Sequence, residues 1–335
     1  MLSVAKKYAV CSLSKKRSMR ILTAGLTPAY QQLMIFDGLH VDQVNRAAEV
    51  VWCVSGKPTN AAIAVKMLDS AAESVLLTPL SGPGREQMEN ELRTHGICLH
   101  NVSLQSPTRI CTTLIDRKNR TVTELINNAS PWTETELDQF AEMFRDESQY
   151  ADVIVLIGSL PQNCSQEYYR RLLQQRRRPA PVLCDFRGKE LLQVLDLKPL
   201  FVKPNRTELE TTFGVSLSEP KQLFEAMREL NRMGAQWVLV TDGTRTVYLT
   251  SAESAWQFQP PIIEDSEIVN PIGCGDTMCA ALALGIGRGE SVPRFIQSAI
   301  AAAAVNLKHL LPGRLVAANI DEIADQIDFQ SWKIN

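Results

Sequence analysis

The feature that most constrains the fold is an alternation of short apolar runs with helical segments in the second half of the chain. Val153–Ile157 contains only aliphatic residues, and runs at 182–185, 200–203 and 237–241 follow, with a helical pattern between them. Strands buried on both faces have such continuous apolar runs, and helical crossovers join parallel strands. The sequence therefore predicts a three-layer α/β/α fold with a mainly parallel sheet.

Two stretches do not follow this rhythm, at about residues 31–54 and 108–127. The second has the pattern of a hairpin, with Arg109–Ile115 and Thr121–Ile126 on either side of a polar turn. We expect both stretches to form a small β-sheet flap, or lid, over one end of the main sheet. No linker or repeat divides the chain, so a single domain over residues 19–335 is predicted.

Residues 1–18 differ in composition from the rest of the chain. They carry five lysines and arginines and no acidic residue. Their apolar stretch is short and interrupted, which does not favour a targeting peptide. We predict a disordered basic extension, or a start assigned too early, with the fold beginning near Met19.

Composition argues against several classes of function. A net charge of −2 offers no basic field for nucleic acid. No apolar run approaches the roughly 20 residues of a membrane span. The eight cysteines form no C-x-x-C pair, and the four histidines have no zinc spacing. Free, reduced thiols are typical of a cytosolic protein, so a cytoplasmic location is expected.

Glycine or polar residues follow the ends of the predicted strands. In open α/β sheets, ligands bind at the carboxyl ends of the strands. A binding site is therefore expected where these residues meet. The positions are Gly25, Gly82, Gly158, Asp185, Lys203 and Asp242.

The strongest candidate site is Gly273-Cys274-Gly275-Asp276, directly before a helical run of small residues. Glycines expose consecutive backbone N–H groups, and a helix N-terminus attracts a phosphate. Asp276 is placed among these amides to take the proton of a hydroxyl nucleophile. The alternative is a glycine-rich turn in which Asp276 is an ordinary N-cap.

Asn205 and Glu208 follow Lys203 at the end of a buried strand and open a helix. Three residues apart, their side chains share one face of that helix. Such a pair can position a phosphate and hold, through water, a Mg²⁺ ion. The alternative is a variant of the capping box, in which Asn205 caps the helix and Glu208 bonds back to it.

Ser55–Asn60 is a basic, glycine-containing turn before another helix. Lys57, next to Gly56, could meet an anion, and Asn60 a sugar hydroxyl. The spacing of a P-loop is absent. Taken alone, the stretch is more often a turn than a site.

Five other positions carry weaker signals. Ser159 stands at a strand end, and Thr241 and Gly243 flank a turn-forming aspartate. Arg46 and Arg109 belong to the flap. Taken singly, each is typical of a turn or of a solvated charge.

Together and in order, these motifs resemble the ribokinase-like (PfkB) family of carbohydrate kinases, from about Met19 onwards. Gly273–Asp276 is similar to the family's G-A-G-D motif, Asn205-x-x-Glu208 matches its N-x-x-E motif, and Ser55–Asn60 resembles its N-terminal glycine-rich motif. Within the family, the chain looks most like the 1-phosphofructokinase/tagatose-6-phosphate kinase branch. The stretches that resemble this branch are Val44–Ala47, Thr108-Arg109, Gly158–Pro161 and Lys203–Asn205.

The resemblance implies a ribokinase-like fold and a kinase that uses ATP and Mg²⁺ on a ketohexose monophosphate, such as fructose 1-phosphate or tagatose 6-phosphate. It also makes a homodimer through the flap plausible. Asp276 would be the base, and the amides of Gly273, Cys274 and Gly275 the anion hole. The residues implied on the nucleotide side are Lys203, Asn205, Glu208, Thr241 and Gly243, with Asn205 and Glu208 reaching Mg²⁺ through water. The residues implied on the substrate side are Gln31, Arg46, Gly56, Lys57, Asn60, Arg109 and Ser159.

The sequence departs from the branch in three places. Gln31 stands where the branch has an aspartate that contacts sugar hydroxyls. The usual Gly-Gly-Lys-Gly becomes Ser-Gly-Lys-Pro, and Pro58 removes an N–H group and fixes φ. Cys274 places a thiol in the anion hole. The first two changes lie at the end of the site that selects the sugar.

Two alternatives stay open. One is a kinase of an unphosphorylated sugar or nucleoside, and the other is a non-catalytic sugar or nucleotide sensor with the same fold. Lys57, Arg46 and Arg109 argue against the first, because three cations near one site require an anion. The retained Asp276 argues against the second.

Overall fold

The computed structural model describes residues 18–333, in which strands and helices alternate over most of the chain. The strands are β1 (Arg20–Ala24), β2 (Ala29–Phe36), β3 (Glu49–Ser55), β4 (Glu73–Thr78), β5 (Cys98–Asn101), β6 (Ile110–Asp116), β7 (Thr121–Ile126), β8 (Val153–Ile157), β9 (Val182–Asp185), β10 (Phe201–Val202), β11 (Trp237–Val240), β12 (Val247–Thr250), β13 (Ser254–Phe258) and β14 (Phe329–Lys333). The helices are α1 (Lys57–Leu68), α2 (Arg85–Thr94), α3 (Glu134–Ser148), α4 (Tyr168–Gln174), α5 (Lys189–Leu192), α6 (Arg206–Phe213), α7 (Pro220–Met233), α8 (Cys274–Arg288), α9 (Val292–Asn306) and α10 (Ile320–Asp325).

The main sheet has ten strands in the order β14-β13-β12-β11-β10-β9-β8-β1-β4-β5. From β11 to β5 all neighbours are parallel, whereas β12, β13 and β14 extend the sheet with antiparallel pairs. Parallel neighbours need crossover connections, and helices supply most of them here. The predicted α/β fold with a mainly parallel sheet is confirmed.

Strand β8 shows how both faces of the sheet are covered. Successive side chains of a strand point to opposite faces. Ile154 and Leu156 belong to an apolar cluster with α3, α4 and α7. Val153, Val155 and Ile157 belong to a second cluster with α1, α8 and α9. The core is therefore two apolar layers separated by the sheet, which gives the predicted three-layer arrangement.

Helix α8 is buried from Asp276 to Gly285 because it packs between α1 and α9. Its small side chains permit this close approach. A Cβ atom on Gly285 would lie 2.2 Å from Cβ of Phe295 in α9. The close packing fixes the N-terminus of α8 against the body of the protein.

The flap is a second sheet of four strands in the order β3-β2-β6-β7. Strand β2 pairs antiparallel with β3 and parallel with β6, and β6 forms the predicted hairpin with β7. Its inner face packs Leu33, Ile35, Cys53 and Ile115 against residues 310–311 of the body. Both stretches that did not fit the α/β rhythm therefore pair with each other.

The outer face of the flap carries apolar side chains in contact with solvent. Trp52 packs on Tyr30 with ring centroids 4.8 Å apart, yet 41% of Trp52 remains exposed. Exposed apolar side chains on one face of a sheet are common at protein interfaces. The exposed members of this face are Val50, Trp52, Ile110 and Leu125.

Helix α1 begins at Lys57, four residues before the predicted start at Ala61. Gly56 precedes it with a φ of 94°, and Pro58 lies in the first turn. A proline is tolerated there because the N–H groups of a first turn have no helical acceptor. Pro58 therefore extends the helix towards the glycine turn.

Strands β13 and β14 and helix α10 were not predicted. Every residue of β14 is exposed, so it has no apolar pattern to recognise. Apart from Ser18, the predicted basic extension at residues 1–18 lies outside the described residues. Between residues 18 and 333, no helix is long and apolar enough to cross a bilayer, and the seven cysteines are free thiols.

Candidate active site

The N-terminus of α8 presents backbone amides that can bind an anion. Gly273 precedes the helix with a φ of 83°, and a Cβ atom there would lie 2.6 Å from Cβ of Pro312. Only glycine fits this position without strain. The first bond within the helix runs from the Thr277 amide to the Gly273 carbonyl, at 2.8 Å. The amides of Cys274 and Gly275 therefore have no helical acceptor, and the helix dipole adds a partial positive charge.

Asp276 is buried in the first turn of α8. One carboxylate oxygen accepts a hydrogen bond from Nδ2 of Asn60, at 2.8 Å. Burial raises the pKa of Asp276 to about 6, although the ammonium group of Lys57 and the Asn60 bond oppose the shift. A carboxylate with this pKa is well suited to act as a general base near neutral pH.

Asn60 orients Asp276, a role that the sequence did not indicate. Its Oδ1 accepts a hydrogen bond from the Ser55 hydroxyl at 3.1 Å, while its Nδ2 holds Asp276. The second Nδ2 proton of Asn60 has no hydrogen-bond partner among the described residues, so it is available to a ligand. The contact to a sugar hydroxyl stays a prediction.

Asn306, at the end of α9, is a buried residue that sequence reasoning missed. Its Nδ2 donates to the Ile272 carbonyl at 3.0 Å and contacts the sulfur of Cys274 at 3.4 Å. Its Oδ1 accepts from the Thr277 hydroxyl at 3.1 Å and from the Gly313 amide at 2.9 Å. Asn306 therefore fixes both sides of the glycine turn. A single asparagine in an alanine-rich helix was the only available signal.

The thiol of Cys274 is not suited to acid–base chemistry at neutral pH. Burial raises the pKa of its thiol to about 11, which keeps the proton on sulfur. Its backbone amide is the group predicted to belong to the anion hole.

Asp185, at the end of β9, lies at the centre of a cluster of charges. Its carboxylate is 3.2 Å from Nζ of Lys57 and 3.5 Å from Nζ of Lys203, and it accepts from the Cys279 thiol at 3.3 Å. Burial opposes its ionisation, but the two lysines outweigh burial and lower its pKa. The sequence placed Asp185 at a strand end without giving it a role.

Lys203 and Lys57 are both held as cations by this cluster. Burial alone would lower both pKa values, but Asp185 raises that of Lys203, and Asp185, Glu208 and Asp276 raise that of Lys57. Lys203 is buried at the start of α8, where a Cβ atom on Gly275 would lie 3.5 Å from its Nζ. A buried cation at a helix N-terminus is suited to phosphate.

Asn205 and Glu208 form the capping box that was the alternative interpretation of this motif. The Glu208 amide donates to Asn205 Oδ1 at 2.7 Å, and the Asn205 amide donates to Glu208 Oε2 at 2.9 Å. The other oxygen, Oε1, lies 3.3 Å from Nζ of Lys57. The box leaves one carboxylate oxygen directed at the charge cluster, so capping and a role in the site are compatible.

Thr241 lies beside Asn205 at the end of β11. The Arg206 amide donates to its carbonyl at 2.9 Å, and Thr241 forms a parallel bridge with Asn205. Gly243 is exposed, with a φ of 59° and open space around it. The two residues therefore border the same strand end as the capping box.

Arg109 holds the base of the flap. Its guanidinium group donates to three backbone carbonyls, those of Thr27 at 2.9 Å, Asn127 at 3.1 Å and Pro28 at 3.2 Å. Two of its five N–H donors remain for a ligand. Thr27 links Arg109 to Ser159, because its carbonyl accepts from Arg109 and its Oγ1 lies 3.3 Å from the Ser159 hydroxyl.

The three cations are not equivalent. Arg46 is exposed in the loop between β2 and β3. Lys57 is already paired with two carboxylates. Among the described residues, Arg109 is the one of the three that has no ion pair and is also linked, through Thr27, to another predicted site residue.

Gln31 is buried on the inner face of the flap. Its Nε2 donates to Oγ1 of Thr113 on the neighbouring strand, at 2.5 Å. Among the described residues no group donates to its Oε1. A glutamine can thus present an acceptor where the resembled branch has a carboxylate, but without the charge.

No group of three or more histidine, cysteine or acidic residues in the described part of the chain could hold a metal ion by itself. Mg²⁺ commonly keeps several waters and binds through one or two carboxylates together with substrate phosphates. Asp185 and Glu208 provide two such carboxylates, which lie 3.2 Å and 3.3 Å from Nζ of Lys57.

Comparison with known proteins identifies the same architecture. A family model described as pfkB family carbohydrate kinase matches residues 26–315. Phosphofructokinase-2 from Escherichia coli, in a tetrameric inhibited form, has a TM-score of 0.82 at 22% identity, over 92% of this chain and 98% of that one. A protein described as a possible 1-phosphofructokinase from Thermotoga maritima has a TM-score of 0.82 at 21% identity, over 94% of this chain and 100% of that one. At these identities the likeness establishes the fold.

Proposed function

Because the chain belongs to the pfkB family of carbohydrate kinases, we propose that it transfers the γ-phosphoryl group of ATP to a hydroxyl of a sugar phosphate. The observation that carries this proposal is the buried carboxylate of Asp276, held by Asn60 beside the amides at the start of α8. Phosphoryl transfer needs a group that receives the hydroxyl proton and donors that stabilise charge on the phosphoryl oxygens. Asp276 and these amides supply both at one place.

In the proposed step, a sugar hydroxyl oxygen bonds to the γ-phosphorus as the bond from phosphorus to the bridging oxygen breaks. Asp276 takes the hydroxyl proton, and the electron pair of the broken bond leaves with ADP. The amides of Gly273, Cys274 and Gly275 stabilise the negative charge of the transferred group. Because the pKa of Asp276 is about 6, its carboxylate is ionised at pH 7 and still basic enough to accept the proton.

The residues of the charge cluster fit a nucleotide with its Mg²⁺. Lys203 and the start of α8 would bind the phosphates. Glu208 and Asp185 would hold the ion through water, with Asn205 fixing the Glu208 carboxylate. When bound, Mg²⁺ neutralises phosphate charge. The residues proposed to border the nucleotide are Thr241 and Gly243.

The proposed acceptor is a ketohexose monophosphate such as fructose 1-phosphate or tagatose 6-phosphate. Arg109, with Ser159 beside it, would bind the phosphate that the sugar already carries. Gln31 Oε1 would accept from a sugar hydroxyl. One structure of the E. coli phosphofructokinase-2, at a TM-score of 0.80, contains fructose-6-phosphate, which supports a sugar monophosphate.

A kinase of an unphosphorylated sugar is the second candidate. The pairing of Lys57 with Asp185 and Glu208 favours it, because Lys57 then has no charge left for a substrate phosphate. The exposure of Arg46 favours it as well. The two candidates differ in the role of Arg109, which would bind a substrate phosphate only if the sugar is already phosphorylated.

A screen of ATP turnover with Mg²⁺ over free and phosphorylated sugars tests the proposal. We expect turnover with a ketohexose monophosphate and little with the matching free sugar. Preference for the free sugar would favour the second candidate. Lack of turnover with every sugar would favour a non-catalytic sensor.

We also propose that the flap forms a homodimer. The support is the exposed apolar outer face that Val50, Trp52, Ile110 and Leu125 share. Burying such side chains against a second copy would remove apolar surface from water.

A further inference from the structure

Arg314 joins three separate segments of the chain. Its side chain is only 7% exposed. The guanidinium group donates to the carbonyl of Val54 at 2.7 Å and to that of Pro312 at 2.6 Å. It also donates twice to Oε1 of Glu91, from Nη2 at 2.5 Å and from Nε at 3.1 Å. A planar guanidinium fixes direction as well as distance, so the three segments are held in one geometry.

Glu91 completes the arrangement from α2. Its second oxygen, Oε2, accepts from the amide of Val54 at 2.7 Å. Strand β3 is the edge of the flap sheet, so at Val54 its outward N–H and C=O groups have no strand partner. Glu91 accepts from the N–H group of Val54, and Arg314 donates to its carbonyl. Val54 lies just before Gly56 and Lys57, where the flap joins α1.

On its other side, Arg314 adjoins the glycine turn of α8. The neighbouring Gly313 amide donates to Asn306, which holds that turn. A Cβ atom on Gly313 would lie 2.4 Å from the carbonyl oxygen of Asn60, so these backbones touch. Pro312 packs against Gly273 in the same way.

We propose that the Glu91–Arg314 pair is a positioning clamp that sets the end of flap strand β3 relative to the anion hole and Asp276. Neither residue touches the site proposed for the substrates. Their effect passes through backbone groups, from Val54 on the flap side to Gly313 and Asn306 on the α8 side. Releasing the pair is therefore expected to loosen both ends of this connection.

Hydrogen exchange on the full-length protein tests the clamp without any assumption about activity. We expect Glu91→Gln to speed amide exchange about tenfold or more in two segments, 50–56 and 269–278. The matched control is Glu89→Gln, on the same helix, whose carboxylate pairs only with the surface Arg85. The control should change neither segment.

The exchange rate in segment 269–278 decides whether the pair is a clamp. Faster exchange at 50–56 alone would mean that the pair only secures the edge of β3, and the proposal would be overturned. Uniformly faster exchange across the chain would indicate general destabilisation and would overturn it as well. Arg314→Lys keeps the positive charge but loses the planar guanidinium group with its several donors. It should therefore speed amide exchange in both segments by less than Glu91→Gln does.

A kinetic measurement tests whether the clamp affects catalysis. This second test rests on the proposed function. In Glu91→Gln, sugar-dependent turnover should fall about tenfold relative to sugar-independent ATP hydrolysis. Loss of folded protein would lower both rates in proportion and leave their ratio unchanged. If the wild type turns over no sugar, the proposed function fails, whereas the exchange experiment still decides the clamp.

Discussion

The two sides of the site are held in different ways. Around the start of α8, the side chains are buried, and each is bonded to a distant part of the chain, as with Asn60 and Asp276 or Lys203 and Asp185. On the flap side, Arg109 bonds only to backbone carbonyls, and Ser159 is exposed. The proposed transfer groups are therefore preorganised, whereas the proposed sugar contacts retain donors and acceptors that a ligand must satisfy.

Replacing the proposed base, on the preorganised side of the site, should have the largest effect on turnover. We expect Asp276→Asn to lower turnover by about a thousandfold or more, because a general base contributes on the order of 10²–10⁴ and the amide also removes a charge. ATP affinity should change by no more than about threefold, since Lys203 and the α8 amides stay in place. A coupled turnover assay and calorimetric titration with ATP measure both. Near-wild-type turnover would show that Asp276 is not the base.

The same variant should be more stable than the wild type. The pKa of Asp276 is raised by burial to about 6 in the folded protein from an ordinary value of 3.8. A raised carboxyl pKa means that the folded state binds the proton more tightly, so ionisation above pH 6 costs stability. The shift corresponds to about 3 kcal/mol at pH 7. Thermal unfolding at pH 7 should show a higher Tm for Asp276→Asn, and the gain should shrink between pH 6 and pH 4.

Removing Arg109 tests the flap side. We expect Arg109→Ala to raise KM for a sugar phosphate by about 30-fold, as loss of charge-assisted hydrogen bonds implies. KM for an unphosphorylated sugar should change far less. Arg46→Ala is the matched control and should alter neither value by more than about twofold, because surface charges contribute little. Equal effects of Arg109→Ala on both sugars would refute the anion site.

The pH profile sharpens the description of the base. The active form of Asp276 is the carboxylate, so kcat/KM should fall as the pH drops through about 6. Between pH 7 and pH 5 the loss should be about tenfold. An acid limb near pH 4 would instead indicate a carboxyl that burial does not perturb.

A substitution on the outer face of the flap should have the smallest effect on turnover. We expect Trp52→Glu to convert a dimer into a monomer, because an unpaired charge would be buried at the interface. Turnover per subunit should change by about twofold or less if the flap sheet stays intact. Light scattering after size exclusion measures the mass, and Glu49→Gln, on the same strand, serves as the control. A wild type that is monomeric at all concentrations would contradict the proposed dimer.

Local patterns were sufficient to predict the frame of the molecule. The apolar run Val153–Ile157 is a strand over the same residues, and β9 likewise matches its predicted bounds. Parallel strands place their carboxyl ends at one edge, so the grouping of Asp185 with Lys203 followed from order alone. The edge strand β14 could not be found, because all five of its residues are exposed and polar residues separate its two aromatic ones.

The partners of each side chain could not be predicted. Lys57 pairs with Asp185, 128 residues away, and Asn60 with Asp276, 216 residues away. Periodicity gives the face on which a residue lies but not what lies opposite. This is why Lys57 was expected to bind a substrate anion, although the structure pairs it with two carboxylates.

These long separations affect how the protein is made. Asp276 is held by Asn60, which is synthesised before it, and the turn before Asp276 is held by Asn306, which is synthesised after it. A nascent chain can pair β1 with β4 and β8 well before it contains either α8 or α9. Shortened products that stop before Asn306 would thus carry much of the sheet but would lack a residue that holds the proposed site, so the proposed activity would require synthesis through Asn306.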